Sequence, residues 1–275
     1  MASTLLRHPA VAGRFYPGDP EELRAEALAY LSQQTSNETA LIRAIGCIAP
    51  HAGYMYSGHV AGAVFARIEV PQLCVLMCPN HTGMGRPLAM MSEGVWETPL
   101  GEVPIDEEFA RNLKRHFPVL EEDAAAHRAE HAAEVELPFL QLLQAHLRFV
   151  PIALGTGRVE VLDQLGLALA DVITQHPEPV LVIASSDMNH YESEAITRAK
   201  DQRAIERILT LDPRGLHEVV TEQNISMCGF GPAVAMLTAA RQLGAKSAQL
   251  VKYATSGDIS GDRDMVVGYA GVIVS

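Results

Sequence analysis

Val180-Leu181-Val182-Ile183-Ala184-Ser185-Ser186-Asp187-Met188-Asn189-His190 is an apolar run that passes directly into a polar cluster ending in a histidine. A short apolar stretch rich in β-branched residues reads as a strand buried on both faces, the kind found in parallel sheets. Two other stretches repeat the pattern. Residues 44–48 lead into Ala49-Pro50-His51-Ala52-Gly53, and residues 73–77 into Cys78-Pro79-Asn80-His81. In open α/β sheets the carboxyl ends of neighbouring strands converge on one crevice, where ligands bind. Histidines far apart in the chain are therefore expected to meet there. Imidazole serves both as a metal ligand and as a proton carrier, so the meeting point is a candidate site.

Helical patterns fill the gaps between these strands. Asp19 followed by Pro20 marks a helix start and predicts a helix over 20–32, with a polar loop at 33–39. Further helices are expected at 57–68, from Asp106 to about 117, at 132–147 with an interruption near Pro138, and at 159–174. Others are expected at 192–210, at 213–222 and after Gly231-Pro232. Additional strands are expected at 88–91, 94–103, 148–154, 248–253 and 265–274. This alternation predicts an α/β fold, one domain over residues 1–275, with a mostly parallel or mixed central sheet flanked by helices.

The chain has 275 residues, 21 basic and 33 acidic, for a net charge of -12. An acidic chain is poorly suited to non-specific binding of nucleic acid or anionic membranes, which depends on Lys and Arg. No apolar run is long enough to span a bilayer, and the N-terminus lacks a basic region followed by an apolar core. A cytoplasmic protein is expected. Of the four cysteines, Cys47, Cys74 and Cys78 sit in or beside apolar strands and read as small core residues. Cys228 differs, lying in a Met-Cys-Gly-Phe-Gly-Pro turn.

Some local patterns are weaker. His127-Arg128-Ala129-Glu130-His131 matches the H-x-x-E-H string of inverted zinc peptidases, against the plainer reading of a solvated helix start. Gly155-Thr156-Gly157 follows a strand, but position 160 is Glu where a dinucleotide motif needs glycine. The aspartates of Ser256-Gly257-Asp258 and Ser260-Gly261-Asp262-Arg263-Asp264 lack calcium-loop spacing and read as turn residues.

Taken together, several pieces resemble the Memo-like family, also called AmmeMemoRadiSam system protein B. They are residues 11–17 (Val-Ala-Gly-Arg-Phe-Tyr-Pro), Ala49-Pro50-His51-Ala52-Gly53-Tyr54, Pro79-Asn80-His81, Glu130-His131-x-x-Glu134, Ser185-Ser186-Asp187-x-x-His190, Cys228-Gly229 and Ser256-Gly257-Asp258. They span nearly the whole chain. The family is similar in fold to class III extradiol dioxygenases, which are non-haem iron enzymes. The resemblance implies that His51 and His81 bind a metal, with Cys228 as the third ligand where the dioxygenases carry a glutamate. It also implies that His131, Asp187 and His190 line the same pocket.

A metal-dependent oxidoreductase is the leading expectation, with Fe(II) first and Cu or Zn as alternatives. Asp187 is expected to fix the tautomer of His190, the proton carrier, and Glu134 to orient His131. The rival readings are a silent peptide- or phosphopeptide-binding scaffold and a Zn-dependent hydrolase. The substrate is an unidentified small molecule or peptide, and the family name implies partners in a radical SAM pathway.

Overall fold

The computed structural model describes residues 5–32 and 40–275, so the loop expected over 33–39 lies outside the described residues. The described elements begin with β1 (Leu6–Arg7), α1 (Pro20–Ser32), β2 (Gly46–Ala49), α2 (Tyr54–Phe65), β3 (Leu73–Pro79), β4 (Leu88–Met90), β5 (Val95–Thr98) and β6 (Gly101–Pro104). There follow α3 (Glu107–His116), β7 (Glu121–Glu122), α4 (Ala125–Arg128), a 3-10 turn (Glu134–Glu136), α5 (Leu137–Leu143), β8 (Arg148–Leu154) and α6 (Val159–Gln175). The remainder is β9 (Val180–Ser185), β10 (His190–Glu192), α7 (Glu194–Leu209), α8 (Pro213–Glu222), α9 (Phe230–Gln242), β11 (Ala248–Thr255), α10 (Gly257–Ser260) and β12 (Val266–Val274).

The main sheet runs β10-β12-β2-β9-β3-β8-β4-β7, with β11 also paired to β12. Its centre, β2, β9, β3 and β8, is parallel. The antiparallel pairings of β12, β10, β11 and β4 make the sheet mixed. The expected α/β architecture is therefore present, and the three histidine-bearing strand ends are adjacent.

Alternation along the central strands divides the core between the two faces. Val75 and Met77 pack with α6 and α9 on one side, while Cys74, Leu76 and Cys78 pack with α1, α2 and α5 on the other. Cys47, Cys74 and Cys78 are thus fully buried core residues. Helix starts follow local chemistry. Asp19 Oδ1 accepts from the backbone N–H of Glu21 and Glu22, and Asp106 Oδ1 from that of Phe109.

Of the elements that differ from expectation, three lie next to the site. The second helix starts at Tyr54, directly after the His51 turn, because Tyr54 N–H is tied to the carbonyl of Phe15. The 132–147 stretch is a 3-10 turn followed by a helix with Pro138 in its first turn, the position that best tolerates proline. Residues 190–192 form a short strand on β12, so the helix expected from 192 starts at Glu194. Among the described residues no helix is long and apolar enough to cross a membrane.

Candidate metal centre

His51 lies just beyond β2, His81 just beyond β3 and Asp187 just beyond β9. Register sets this convergence, since Ala49 pairs with Ser185 and Met77 with Ala184. Cys228 arrives from the loop before α9, which can approach only because residue 229 is glycine. A Cβ there would stand 2.3 Å from the Ser185 carbonyl oxygen and 2.4 Å from Ser186 Cβ. Gly229 N–H instead donates to Ser186 Oγ at 3.0 Å, and Asp187 N–H to Cys228 Sγ at 3.3 Å.

The donor atoms of His51, His81 and Cys228 all lie within 4.8 Å of one another. Cys228 Sγ is 3.3 Å from His51 Nε2. Two ligands on one tetrahedral ion, at metal–nitrogen and metal–sulfur bond lengths, stand about 3.3–3.6 Å apart. Each imidazole also has its Nδ1 engaged behind it, His51 by Ser185 Oγ at 2.7 Å and His81 by Glu130 Oε1 at 2.9 Å. That arrangement leaves both Nε2 atoms for an ion, as metal-binding histidines require. The donor set therefore fits a metal. His81 is the more exposed ligand, and a cleft of about 320 Å³ runs from it and Cys228 past Gly155-Thr156-Gly157 to Phe230. The Gly-Thr-Gly turn is thus a wall of this cleft.

Burial dominates the electrostatics. It holds His51 well below the usual imidazole range, reinforced by His81, His131 and His190 nearby. It pushes the Cys228 thiol well up, with Asp187 adding to the effect. A metal would therefore meet neutral imidazoles and displace a thiol proton. Burial lifts the Asp187 carboxyl to about 7 against the pull of the His51 N–H. Glu130 behaves oppositely: burial acts to raise it, but the His81 hydrogen bond and the N–H groups around it win, and it sits below its usual range.

His131 joins the cluster. Its ring stacks on His81 with centroids 4.7 Å apart and lies 5.4 Å from that of His51. Its partner is Glu130, whose Oε1 is 3.3 Å from His131 Nδ1. The expectation that Glu134 orients His131 is therefore corrected. Glu134 is fully buried and turns away, accepting from Ala10 N–H, Val11 N–H and Tyr16 Oη and pairing with Arg7. Asp187 and His190 do not form the expected pair either. Asp187 Oδ1 accepts from His51 N–H at 2.8 Å, while His190 Nδ1 faces the Ser226 carbonyl at 2.8 Å. A strand at 190–192 swings the imidazole away from the carboxylate, and Ser226 Oγ holds the His190 N–H.

The H-x-x-E-H string is not one helical face, because α4 ends before His131. His127 is buried edge-on against Trp96, 5.6 Å between centroids. Sequence reasoning gave no role to Glu130, Ser185 or Ser226. Glu130 had a usable signal, an acid directly beside a candidate site histidine. The two serines had none beyond their place next to a strand end or a turn.

An α/β protein with two imidazoles and a thiol converging at the ends of parallel strands defines a class with one open, polar, metal-competent crevice. The family model for Memo-like protein matches residues 7–273. The chain is 44% identical to a MEMO1 family protein of Methanopyrus kandleri over 97% of this chain and 98% of that one. It is 42% identical to another from Methanothermobacter thermautotrophicus, over 97% and 99%. This chain belongs to the Memo-like family. An uncharacterized protein from Escherichia coli K12 shares the fold, with a TM-score of 0.54 at 11% identity, over 82% of this chain and 99% of that one.

Proposed function

We propose that the protein is a metal-dependent oxidoreductase of the non-haem iron type, with the ion on His51, His81 and Cys228. The observation that carries this reading is the 3.3 Å approach of Cys228 Sγ to His51 Nε2, within a donor set spanning no more than 4.8 Å. Three protein ligands leave positions for substrate and oxidant, which is the requirement for non-haem Fe(II) chemistry. When bound, the ion supplies one-electron redox capacity and Lewis acidity.

The chain's own residues supply binding and proton handling. A carbonyl can only accept, so the Ser226 contact places a hydrogen on His190 Nδ1 and leaves Nε2 as a base. Burial lowers His190 against the hydrogen bonds that support its charge, which favours that neutral base. His131 is held between His81 and Phe15, whose ring centroid is 4.7 Å away, and offers a second proton-transfer group. Asp187 sets the backbone of the ligand loop through His51 N–H and the Cys228 sulfur through its own N–H.

The test is metal analysis of anaerobically purified protein. Near-stoichiometric iron is expected, falling at least about tenfold in His51→Ala, His81→Ala and Cys228→Ser. Trace metal in the unaltered protein, or full iron in Cys228→Ser, refutes the assignment. Exclusive zinc, with ester or amide turnover, favours the hydrolase.

A further inference from the structure

Glu136 is wholly buried in the 3-10 turn between the His131 loop and α5. Its Oε2 has no hydrogen-bond partner, and its Oε1 lies 3.1 Å from Ser185 Oγ. That hydroxyl also meets the Ala132 carbonyl at 2.6 Å and His51 Nδ1 at 2.7 Å. Ser185 Oγ therefore serves three neighbours with one hydrogen and two lone pairs.

The hydrogens can be placed by elimination. The Ala132 carbonyl only accepts, and it is the shortest contact, so it takes the Ser185 hydrogen. The other two neighbours must then donate. His51 does so as Nδ1–H, and Glu136 as a carboxylic O–H. An ionised Glu136 would set a bare charge against a serine lone pair, with its second oxygen buried and unpaired, which costs several kcal/mol. Burial pushes this carboxyl well above its ordinary range, with the Ser185 contact opposing and the nearby Asp187 adding.

We propose that Glu136 is a neutral acid that donates to Ser185, and so is the positioning residue that holds the Ser185 hydroxyl where it accepts His51 Nδ1–H, with Nε2 turned to the ion. The two metal-site histidines are then backed differently, His81 by an ionised carboxylate and His51 by a neutral hydroxyl. Only the role toward the ion rests on the oxidoreductase reading; the hydrogen-bond order stands without it.

The experiment has readouts in metal-free protein. At pH 7 an infrared carbonyl band of a protonated carboxyl is expected, and it vanishes in Glu136→Gln. Nitrogen NMR of His51 is expected to show Nδ1–H in the unaltered protein. The tautomer persists in Glu136→Gln, whose amide donates in place of the acid. It also persists in Glu136→Leu, where the Ala132 carbonyl still takes the Ser185 hydrogen, and is lost in Ser185→Ala. In iron titrations Glu136→Gln stays within about threefold of the unaltered affinity, while Glu136→Leu weakens it about 10–100-fold. Absence of the band overturns the proposal, as does a Gln variant as damaged as the Leu variant, or a Leu variant that binds iron as tightly as the unaltered protein. If Glu136→Leu fails to fold, the band and the Gln variant still decide. If the unaltered protein binds no iron, the oxidoreductase reading fails while the infrared and NMR outcomes judge this one.

Discussion

Replacing Glu134 by Gln alters the point where the N-terminal segment is tied to the site. The Glu134 carboxylate accepts from Ala10 N–H at 2.8 Å, Val11 N–H at 3.0 Å and Tyr16 Oη at 2.5 Å, and pairs with the buried Arg7 guanidinium. Arg7 reaches on to the carbonyls of His127 and Glu130, at 3.1 and 2.7 Å. Gln keeps the shape and one accepting oxygen but removes the charge, and it points an N–H₂ at groups that themselves donate. Breaking one side of a buried ion pair costs about 3–5 kcal/mol, because the surviving charge is stranded. For a chain of this size each kcal/mol moves the melting temperature by about 2–4 °C, so a fall of roughly 6–20 °C is expected. Calorimetry measures it, and a double variant, Arg7→Met with Glu134→Gln, provides the control. With no stranded charge the double variant should melt above the single one. A Glu134→Gln melting temperature within about 2 °C of the unaltered protein refutes the reasoning.

Other expectations follow from single contacts. Asp201 is buried, accepts from Asn189 N–H and Tyr253 Oη, and is raised by burial from 3.8 to about 6. The folded state thus holds this proton more tightly than the unfolded one, so the contribution to stability is full below about pH 4 and is lost as pH rises through 6. Asp201→Asn should therefore stabilise the fold at pH 7.5, by up to roughly 2–3 kcal/mol, raising the melting temperature there and giving no gain at pH 4; equal effects at both pH values would refute the assignment. Gly229→Ala puts a methyl 2.3 Å from the Ser185 carbonyl oxygen, which should displace Cys228 and weaken iron binding at least about tenfold in a chelator competition, with the circular dichroism unchanged. Unchanged affinity there would show that the loop relaxes freely. Tyr191 carries a left-handed φ of 58° while 69% exposed, held between His190 and Glu192 by the bonds from Ser226 and Asn189. Tyr191→Gly should raise the urea midpoint by up to about 1 kcal/mol of stability, and a lower midpoint would mean the ring supports the fold.

The sheet was legible because its central strands are buried on both faces and so appear as uninterrupted apolar runs, with 148–154 and 180–185 matching the observed strands end to end. The helix at 20–32 was equally clear, since Asp19 and Pro20 mark its start. The three candidate metal-ligating side chains were visible only as strand-end chemistry joined to a family resemblance, because no local spacing links residue 51 to residue 228. What could not be read was which acid serves which histidine. Glu130, Glu134 and Glu136 lie within one short, tightly turned segment. The helix ends at Arg128 and a tighter 3-10 turn begins at Glu134, so no single helical period relates the three acids, and three similar side chains reach three destinations. Glu130 reaches His81, Glu134 the N-terminal segment, and Glu136 Ser185. A helical periodicity assumed over that stretch would misassign every one. The short strand at 190–192 was hidden for a similar reason, since its pairing with β12 depends on residues 74 or more positions later.

The knot around Glu134 also sets a timetable. Arg7, Ala10, Val11 and Tyr16 leave the ribosome well before the acid that fastens them, which is 118 to 127 positions downstream. Until that acid is made, the leading segment has only its ties to Tyr54 and to β5, and the Arg7 guanidinium has no carboxylate to pair with. The crevice therefore closes late in synthesis, and any product broken off early carries histidines without the scaffold that would aim them.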